Sequence, residues 1–189
     1  MRPPAVLSVR IVLAACFLAA SVLPGASPVS AGSLDWRTVR SDEGRFSVSM
    51  PATPRPVSGH EETAVGSIQE SGLEAQVGGL LLKVQHHDIP RLGMLLISRE
   101  GLLSLVVSRL MDERHARVQR DEAILVHGHT GRALRYARID QGERLEEAYV
   151  VLVGRRLYIT TAGPAGDPDA RDSIARFFAS FDVWEDGEG

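Results

Sequence analysis

Hydrophobic and polar residues alternate along much of the chain, and this two-residue period predicts β-strands. The clearest cases are Arg45–Met50, which places Phe46, Val48 and Met50 on one face, and Leu80–His87. A shorter alternating segment at Trp36–Arg40 predicts another strand, followed by a turn because its next residues are Ser, Asp, Glu and Gly. The chain therefore begins its folded part with strands.

Four more strands are predicted in the second half of the chain, separated by short polar or glycine-containing turns. Such short connections require antiparallel pairing of neighbouring strands. Both faces of residues 148–153 and 157–161 are apolar or small, which indicates that this sheet is covered on both sides. The four strands are Arg117–Val126, Arg132–Asp140, Leu145–Val153 and Arg156–Ala162.

The segment Ser58–Gly79 has the least regular pattern, and it predicts at most one or two edge strands around residues 64–70. The prolines at 51, 54 and 56 predict that the preceding strand ends there, because proline cannot donate to a sheet ladder.

Two segments have the three- and four-residue spacing of amphipathic helices. Residues Glu100–Glu113 form the first, with Ser98 as the predicted N-cap. The second begins with Asp167 as N-cap and Pro168 at the first helical position. Their apolar stripes are Leu102, Leu103, Val106, Val107, Leu110 and Met111 in the first helix, and Ala170, Ile174, Phe177, Phe178 and Phe181 in the second. The prediction is a single-domain α+β protein with a twisted, mostly antiparallel sheet flanked by helices.

Residues 1–31 have the layout of a secretory signal peptide. Arg2 and Arg10 precede the apolar run Ile11–Leu23, and the small residues Val29-Ser30-Ala31 offer a cleavage site. This run is short for a transmembrane helix, which favours cleavage near Ala31, and an uncleaved anchor is the main alternative. A third alternative is lipidation at Cys16, since Leu13–Cys16 (LAAC) is similar to a bacterial lipobox. The favoured product is an exported, periplasmic or extracellular domain at residues 32–184, with an acidic tail at 185–189.

Composition narrows the function classes once this leader is set aside. Cys16 is the single cysteine, so the mature domain has no disulfide and no cysteine-based zinc site. Without Arg2 and Arg10, 19 basic residues face 24 acidic ones. The basic residues are dispersed among the acidic ones, and this distribution argues against nucleic acid as a partner. About 158 residues remain, enough for one ordinary hydrophobic core.

Several segments together carry a resemblance to a known fold. They are a strand that begins at a tryptophan, GRFSVSMPATP, a mid-chain helix, GHTGRALRY, GRRLYITTAGP and ARFFASFDVW. From Asp35 to Trp184 the chain resembles small exported bacterial domains of the PsbP and DcrB type. The resemblance implies an α/β/α sandwich, and members of that fold act in protein complexes and envelope processes. The matching segments are packing and turn signatures, so no site residue is carried over.

The histidines are the one constellation that predicts chemistry. His86 ends a strand next to Asp88, and His127 and His129 flank a glycine at a turn. An HxH pair in extended backbone places both rings on one face, so His86, His127, His129 and Asp88 form a zinc or copper site if the strand ends are neighbours. The alternative is that the turn histidines are exposed to water and that His86 is hydrogen-bonded at the rim of the core.

Other catalytic motifs are missing from the sequence. There is no Gly-x-Ser-x-Gly nucleophile elbow, and Gly128–Gly131 lacks the Lys-Ser/Thr of a phosphate-binding loop. The neighbouring acids Glu146 and Glu147 point to opposite faces of a strand and do not form an acid/base pair. The sequence therefore predicts no catalytic residue, no cofactor and no stable membrane span after cleavage. The expected function is a non-catalytic binding or accessory domain with an envelope protein partner, and the alternative is a metal- or small-ligand-binding protein using the His86/His127/His129 region.

Overall fold

Ten strands and three helices are formed by residues 35–63, 66–140, 142–166 and 168–185, the parts of the chain that the computed structural model describes. The predicted leader lies outside these residues, as does the acidic tail beyond residue 185. In chain order the elements are β1 (Arg37–Ser41), β2 (Phe46–Met50), β3 (Arg55–Thr63), β4 (Gly66–Val77), β5 (Leu80–Asp88), α1 (Arg91–Leu96), α2 (Arg99–Glu113), β6 (Ala116–Val126), β7 (His129–Arg138), β8 (Arg144–Val153), β9 (Arg156–Gly163), α3 (Pro168–Ala179) and β10 (Asp182–Val183).

The strands form one large and one small sheet, and every pairing is antiparallel. The large sheet has the strand order β3-β4-β5-β9-β8-β7-β6, and the small sheet has the order β1-β2-β10. The mostly antiparallel α+β fold predicted from the sequence is thus confirmed. The last four long strands pair in sequence through short turns, also as predicted, although β7 begins at His129, two residues into the predicted turn.

The prediction for Ser58–Gly79 was wrong in extent. This region contributes most of β3 and all of β4, and β4 is an interior strand paired on both sides. Strand β2 ends at Met50, as the prolines predicted, but Pro56 itself lies within β3. Proline is tolerated there because β3 is an edge strand that pairs with β4 alone. The cause of the error is the small and polar composition of β4, which hides its alternation.

The two predicted helices are present with nearly the predicted bounds. The Ser98 hydroxyl accepts a hydrogen bond from the Gly101 N–H at 3.1 Å, as expected of an N-cap. Pro168 is the first residue of α3, while its predicted cap Asp167 lies outside the described residues. The short helix α1 was not predicted; the sequence showed only an apolar segment there. Among the described residues, no helix is long and apolar enough to cross a bilayer.

Buried side chains form two clusters, and strand β8 contributes to both. Val151 and Val153 pack with β2, β5 and α3, whereas Val150 and Leu152 pack with α2. Since successive strand residues point to opposite faces, the two clusters lie on opposite faces of the large sheet. Both faces of β8 and β9 are apolar because each face packs into one of the two clusters. At about 25 cal/mol per Å2 of apolar surface removed from water, each such strand contributes strongly to stability.

Strand β2 packs the small sheet against the buried cluster that contains Val151 and Val153. Phe46, Val48 and Met50 are completely buried, and the intervening serines are partly exposed. The Tyr158 hydroxyl of β9 donates a hydrogen bond to the Gly44 carbonyl at 2.9 Å, in the turn before β2. Burial raises the pKa of Tyr158 to about 12, so the hydroxyl keeps its proton at neutral pH. This bond connects the centre of the large sheet to the small one.

Both edges of the large sheet carry features that oppose pairing with another strand. Edge strand β3 contains Pro56, and edge strand β6 has a bulge between Val118 and Arg120. Charged and exposed residues follow along β6. Such features disfavour strand addition at an edge, so a binding surface is better sought on a face of the sheet.

Replacing Tyr158 with phenylalanine tests the connection between the sheets. We expect Tyr158→Phe to lower the free energy of unfolding by about 1–2 kcal/mol, because the buried Gly44 carbonyl loses its partner. Urea unfolding followed by circular dichroism measures this change. The matched control is Tyr149→Phe. The Tyr149 hydroxyl has no hydrogen-bond partner among the described residues, and the Tyr149 ring stacks on that of Phe178 with 4.2 Å between centroids. Equal loss in both variants would contradict the role given to the Tyr158 hydroxyl.

Candidate functional site

His86 points into the core and not toward a metal site. Its ring lies 6.0 Å from that of Phe46 and 6.2 Å from that of Tyr158, measured between centroids, and the residue is buried. Burial lowers the pKa of His86, with the charge of Arg156 acting in the same direction. Neighbouring Asp88 is bound through both oxygens by Arg156 at 2.8 and 3.0 Å. Both residues are therefore used in packing and ion pairing.

The turn histidines lie elsewhere in the sheet. His127 is exposed, and its Nε2 is 3.3 Å from a carboxylate oxygen of Asp182 in β10. In the sheet, β9 and β8 separate β5 from β7, so the strand ends carrying His86 and His129 are not neighbours. Within the described residues no group of three or more His, Cys, Asp or Glu side chains is placed to hold a metal. The structure does not bring His86, His127, His129 and Asp88 together.

The opposite face of the sheet contains a cavity of about 330 Å3, which we call the helix-side cavity. Its floor is formed by His87 of β5, by Ile89 directly after β5 and by Ile159 of β9, and its walls are formed by α1 and α2. The wall side chains of α2 include Leu102, Val106 and Leu110. A concave, mainly apolar cavity of this volume is typical of a binding site for an apolar ligand or side chain.

The cavity exists because the helices cover the sheet unevenly. Helix α2 packs mainly against β6 and β8, which leaves the part of the face formed by β4, β5 and β9 to the short helix α1. Gly93 of α1 adds no side chain to fill the space. A Cβ atom at this position would meet a single neighbour within 4 Å, Ile89 Cγ2 at 3.4 Å. Room therefore remains under α1.

His87 is the polar residue in the floor of the cavity. It is 9% exposed, and its Nδ1 atom is buried with no hydrogen-bond partner among the described residues. Burial lowers the pKa of His87, so the ring is neutral at pH 7. A neutral imidazole offers one donor and one acceptor, and a buried polar atom without a partner is rare in folded proteins. His87 is thus the group best placed to orient a bound molecule.

Charged groups at the mouth of the cavity are held by neighbours. The Arg109 Nε donates to a carboxylate oxygen of Glu113 at 2.8 Å, one turn along α2. Glu70 of β4 accepts a hydrogen bond from the Gln85 amide at 3.1 Å. Around them the mouth is strongly apolar: Leu96 is 69% exposed and Leu105 is 54% exposed. The cavity therefore opens onto an apolar surface with a few fixed charges.

A separate polar network fastens the end of α2 to the sheet. Glu146 of β8 is 13% exposed, and one carboxylate oxygen accepts from the Tyr136 hydroxyl and from Arg114, both at 2.9 Å. Its neighbour Glu147 faces the other way and pairs with Arg135 at 2.7 Å. The expectation that the two acids point to opposite faces is confirmed. Glu146 thus has a structural role, because its carboxylate accepts hydrogen bonds from both Tyr136 and Arg114.

Sequence reasoning found the helix α2 that forms one wall, but it missed the cavity itself. It treated His87 only as a neighbour of His86, and it gave residues 91–97 no element. The available signal was the apolar run Met94–Ile97, which lies between Pro90 and the N-cap Ser98 and is more apolar than a connecting loop needs to be.

No family model matches the sequence, and no curated protein matches it. The solution structure of cyanobacterial PsbP from Synechocystis sp. PCC 6803 superposes with a TM-score of 0.56 at 17% identity, over 86% of this chain and 99% of that one. The fold is PsbP-like. A crystal structure of PA94 from Pseudomonas aeruginosa, described as a protein of unknown function and putative regulator, has a TM-score of 0.39 at 13% identity, over 74% and 91% of the two chains.

The PsbP-like fold confirms the resemblance drawn from the sequence segments. At 17% identity the likeness concerns the fold alone, and it assigns no site. The candidate site of this PsbP-like domain therefore rests on the geometry of the helix-side cavity.

Acidification tests the neutral state of the two adjacent histidines. Both have a folded-state pKa below the unfolded value of about 6.5, so the unfolded chain binds more protons as the pH falls through that value. The free energy of unfolding should therefore decrease from pH 7.5 to pH 5, as urea unfolding at each pH measures. His87→Gln should remove part of this decrease, whereas exposed His60→Gln serves as the control. A pH response that is unchanged by His87→Gln would contradict the assignment.

Proposed function

We propose that this protein is an exported, non-catalytic accessory domain of the cell envelope, which binds an apolar group of a partner in the helix-side cavity. The observation that carries the proposal is the cavity itself: about 330 Å3 of space between apolar helices and the sheet, with the unpartnered Nδ1 of His87 in its floor. A groove beside the sheet is also the feature expected of a binding module.

The non-catalytic part of the proposal is supported by the chemistry of the cavity lining. Among the described residues that form it, His87 is the one histidine, and none is a serine, threonine, cysteine, lysine or tyrosine. A general base without a nearby nucleophile lacks the pairing that covalent catalysis uses. Glu70, Arg109 and Glu113 lie at the mouth and are held by hydrogen bonds or an ion pair.

For the architecture we propose the α/β/α sandwich that the sequence resemblance implied. Its support is the position of the two buried clusters on opposite faces of the large sheet, one with α3 and the small sheet and the other with α2. In this arrangement the cavity belongs to the α1–α2 layer. The PsbP-like fold agrees with an accessory role in the envelope.

Export is tested by identifying the product in a bacterial host. We expect the full chain to reach the envelope fraction and to be cleaved after Ala31, so that intact-mass measurement finds a protein beginning at Gly32. The matched control replaces leucines in the run Ile11–Leu23 with arginine, which should leave the chain uncleaved in the cytoplasm. Recovery of the unaltered chain in the cytoplasm, or of a lipidated Cys16, would contradict cleavage at Ala31.

Filling the cavity tests its use as a binding site. Gly93→Leu should place a side chain in the space under α1 and so reduce the volume of the cavity. It should therefore weaken binding of the apolar fluorescent probe N-phenyl-1-naphthylamine by at least about tenfold. Fluorescence titration measures the affinity. Gly166→Leu is the control, because a Cβ there meets no atom within 4 Å and the position lies outside the cavity. If Gly93→Leu binds the probe as the original protein does, the cavity is not the site.

A further inference from the structure

The junction of α1 and α2 exposes three consecutive large apolar side chains, which we call the apolar corner: Leu95, Leu96 and Ile97. They are 82%, 69% and 38% exposed. Leu105, on the facing side of α2, is 54% exposed and shares the mouth of the helix-side cavity with Leu96 and Ile97. Single exposed apolar residues are ordinary, but a contiguous set of this kind marks an interaction surface.

Two arginines flank the apolar corner, and both are exposed. Arg91 is four residues before Leu95 and lies on the same face of α1, and Arg99 begins α2 two residues after Ile97. Neither has an ion-pair or hydrogen-bond partner among the described residues. Most of the described arginines pair with a carboxylate, and the two arginines at this corner do not.

The acidic groups near the corner are engaged elsewhere. No Asp or Glu occurs from Ile89 to Arg99. The next residue, Glu100, has its carboxylate bound by Arg132 of β7. Glu113, at the far end of α2, pairs with Arg109 at 2.8 Å. The corner therefore presents apolar side chains between two uncompensated positive charges on a chain whose formal net charge is −3.

We propose that the apolar corner docks on the surface of a bilayer containing anionic phospholipid. Leucine and isoleucine side chains enter the boundary between headgroups and acyl chains, and the two guanidinium groups bind lipid phosphates. The combination of protruding apolar residues and unpaired arginines selects this occupant, because a purely apolar protein partner would leave both charges without partners. The proposal rests on the envelope location proposed above, and it concerns a surface distinct from the interior of the cavity.

Sedimentation with vesicles tests this docking. The protein produced by an exporting host should sediment with vesicles of equal parts phosphatidylglycerol and phosphatidylcholine, less in 0.5 M salt, and not with phosphatidylcholine alone. The paired change Leu95→Asp and Leu96→Asp should weaken binding at least about tenfold, and Arg91→Gln with Arg99→Gln should do the same on anionic vesicles. Because these side chains are exposed, the thermal unfolding midpoint should stay unchanged.

Matched controls use residues of the same type far from the corner in sequence. Leu125→Asp replaces a leucine that is 72% exposed on β6, and Arg144→Gln with Arg171→Gln removes two other exposed arginines without described partners. These variants should bind vesicles as the original protein does, and all variants carry the same N-terminal segment. Absence of binding by the original protein, or equal loss in corner and control variants, would overturn the proposal. Binding of N-phenyl-1-naphthylamine without vesicles reports separately on the cavity.

Discussion

Burial of the central hairpin on both faces is the constraint on which the rest of this structure depends. Strands β8 and β9 lie in the middle of the seven-stranded sheet, and Val150, Val151 and Leu152 are completely buried. One face of this hairpin requires α3 and the small sheet as cover, and the other requires α2. With no cysteine in the described part of the chain, this two-sided hydrophobic contact and the hydrogen bond from Tyr158 to Gly44 hold the layers together.

The same layering explains why the cavity lies where it does. Helix α2 covers the β8 side of the sheet, and the outer strands β4 and β5 extend beyond it. The short helix α1 bridges this gap with a glycine at the contact position, so the space beneath it is not filled. A well-packed interior avoids such voids, because each lost contact costs dispersion energy. The apolar space that remains under α1, beside the exposed leucines, is the observation on which the proposed binding function rests.

The two adjacent histidines show why a site predicted from the sequence can differ from the site that the fold forms. His86 and His87 are neighbours in the chain, but the strand geometry turns them to opposite faces. His86 packs against aromatic rings in the core, while His87 lies in the floor of the cavity. The positions of His86, His127 and His129 at strand ends and a turn predicted a site that these histidines share with Asp88. Sheet order separates them, and that order depends on long-range pairing that local patterns do not contain.

The sequence by itself determined the α+β class, the antiparallel pairing of the last four long strands, the two longer helices and the PsbP-like resemblance. These features follow from local periodicity, capping residues and short turns, each of which acts over a few residues. It did not determine the interior strand β4, the helix α1, the cavity or the lack of partners for Arg91 and Arg99 among the described residues. Those depend on which side chains meet across the sheet after folding. Only tertiary packing decided that His87, and not His86, lines the helix-side cavity.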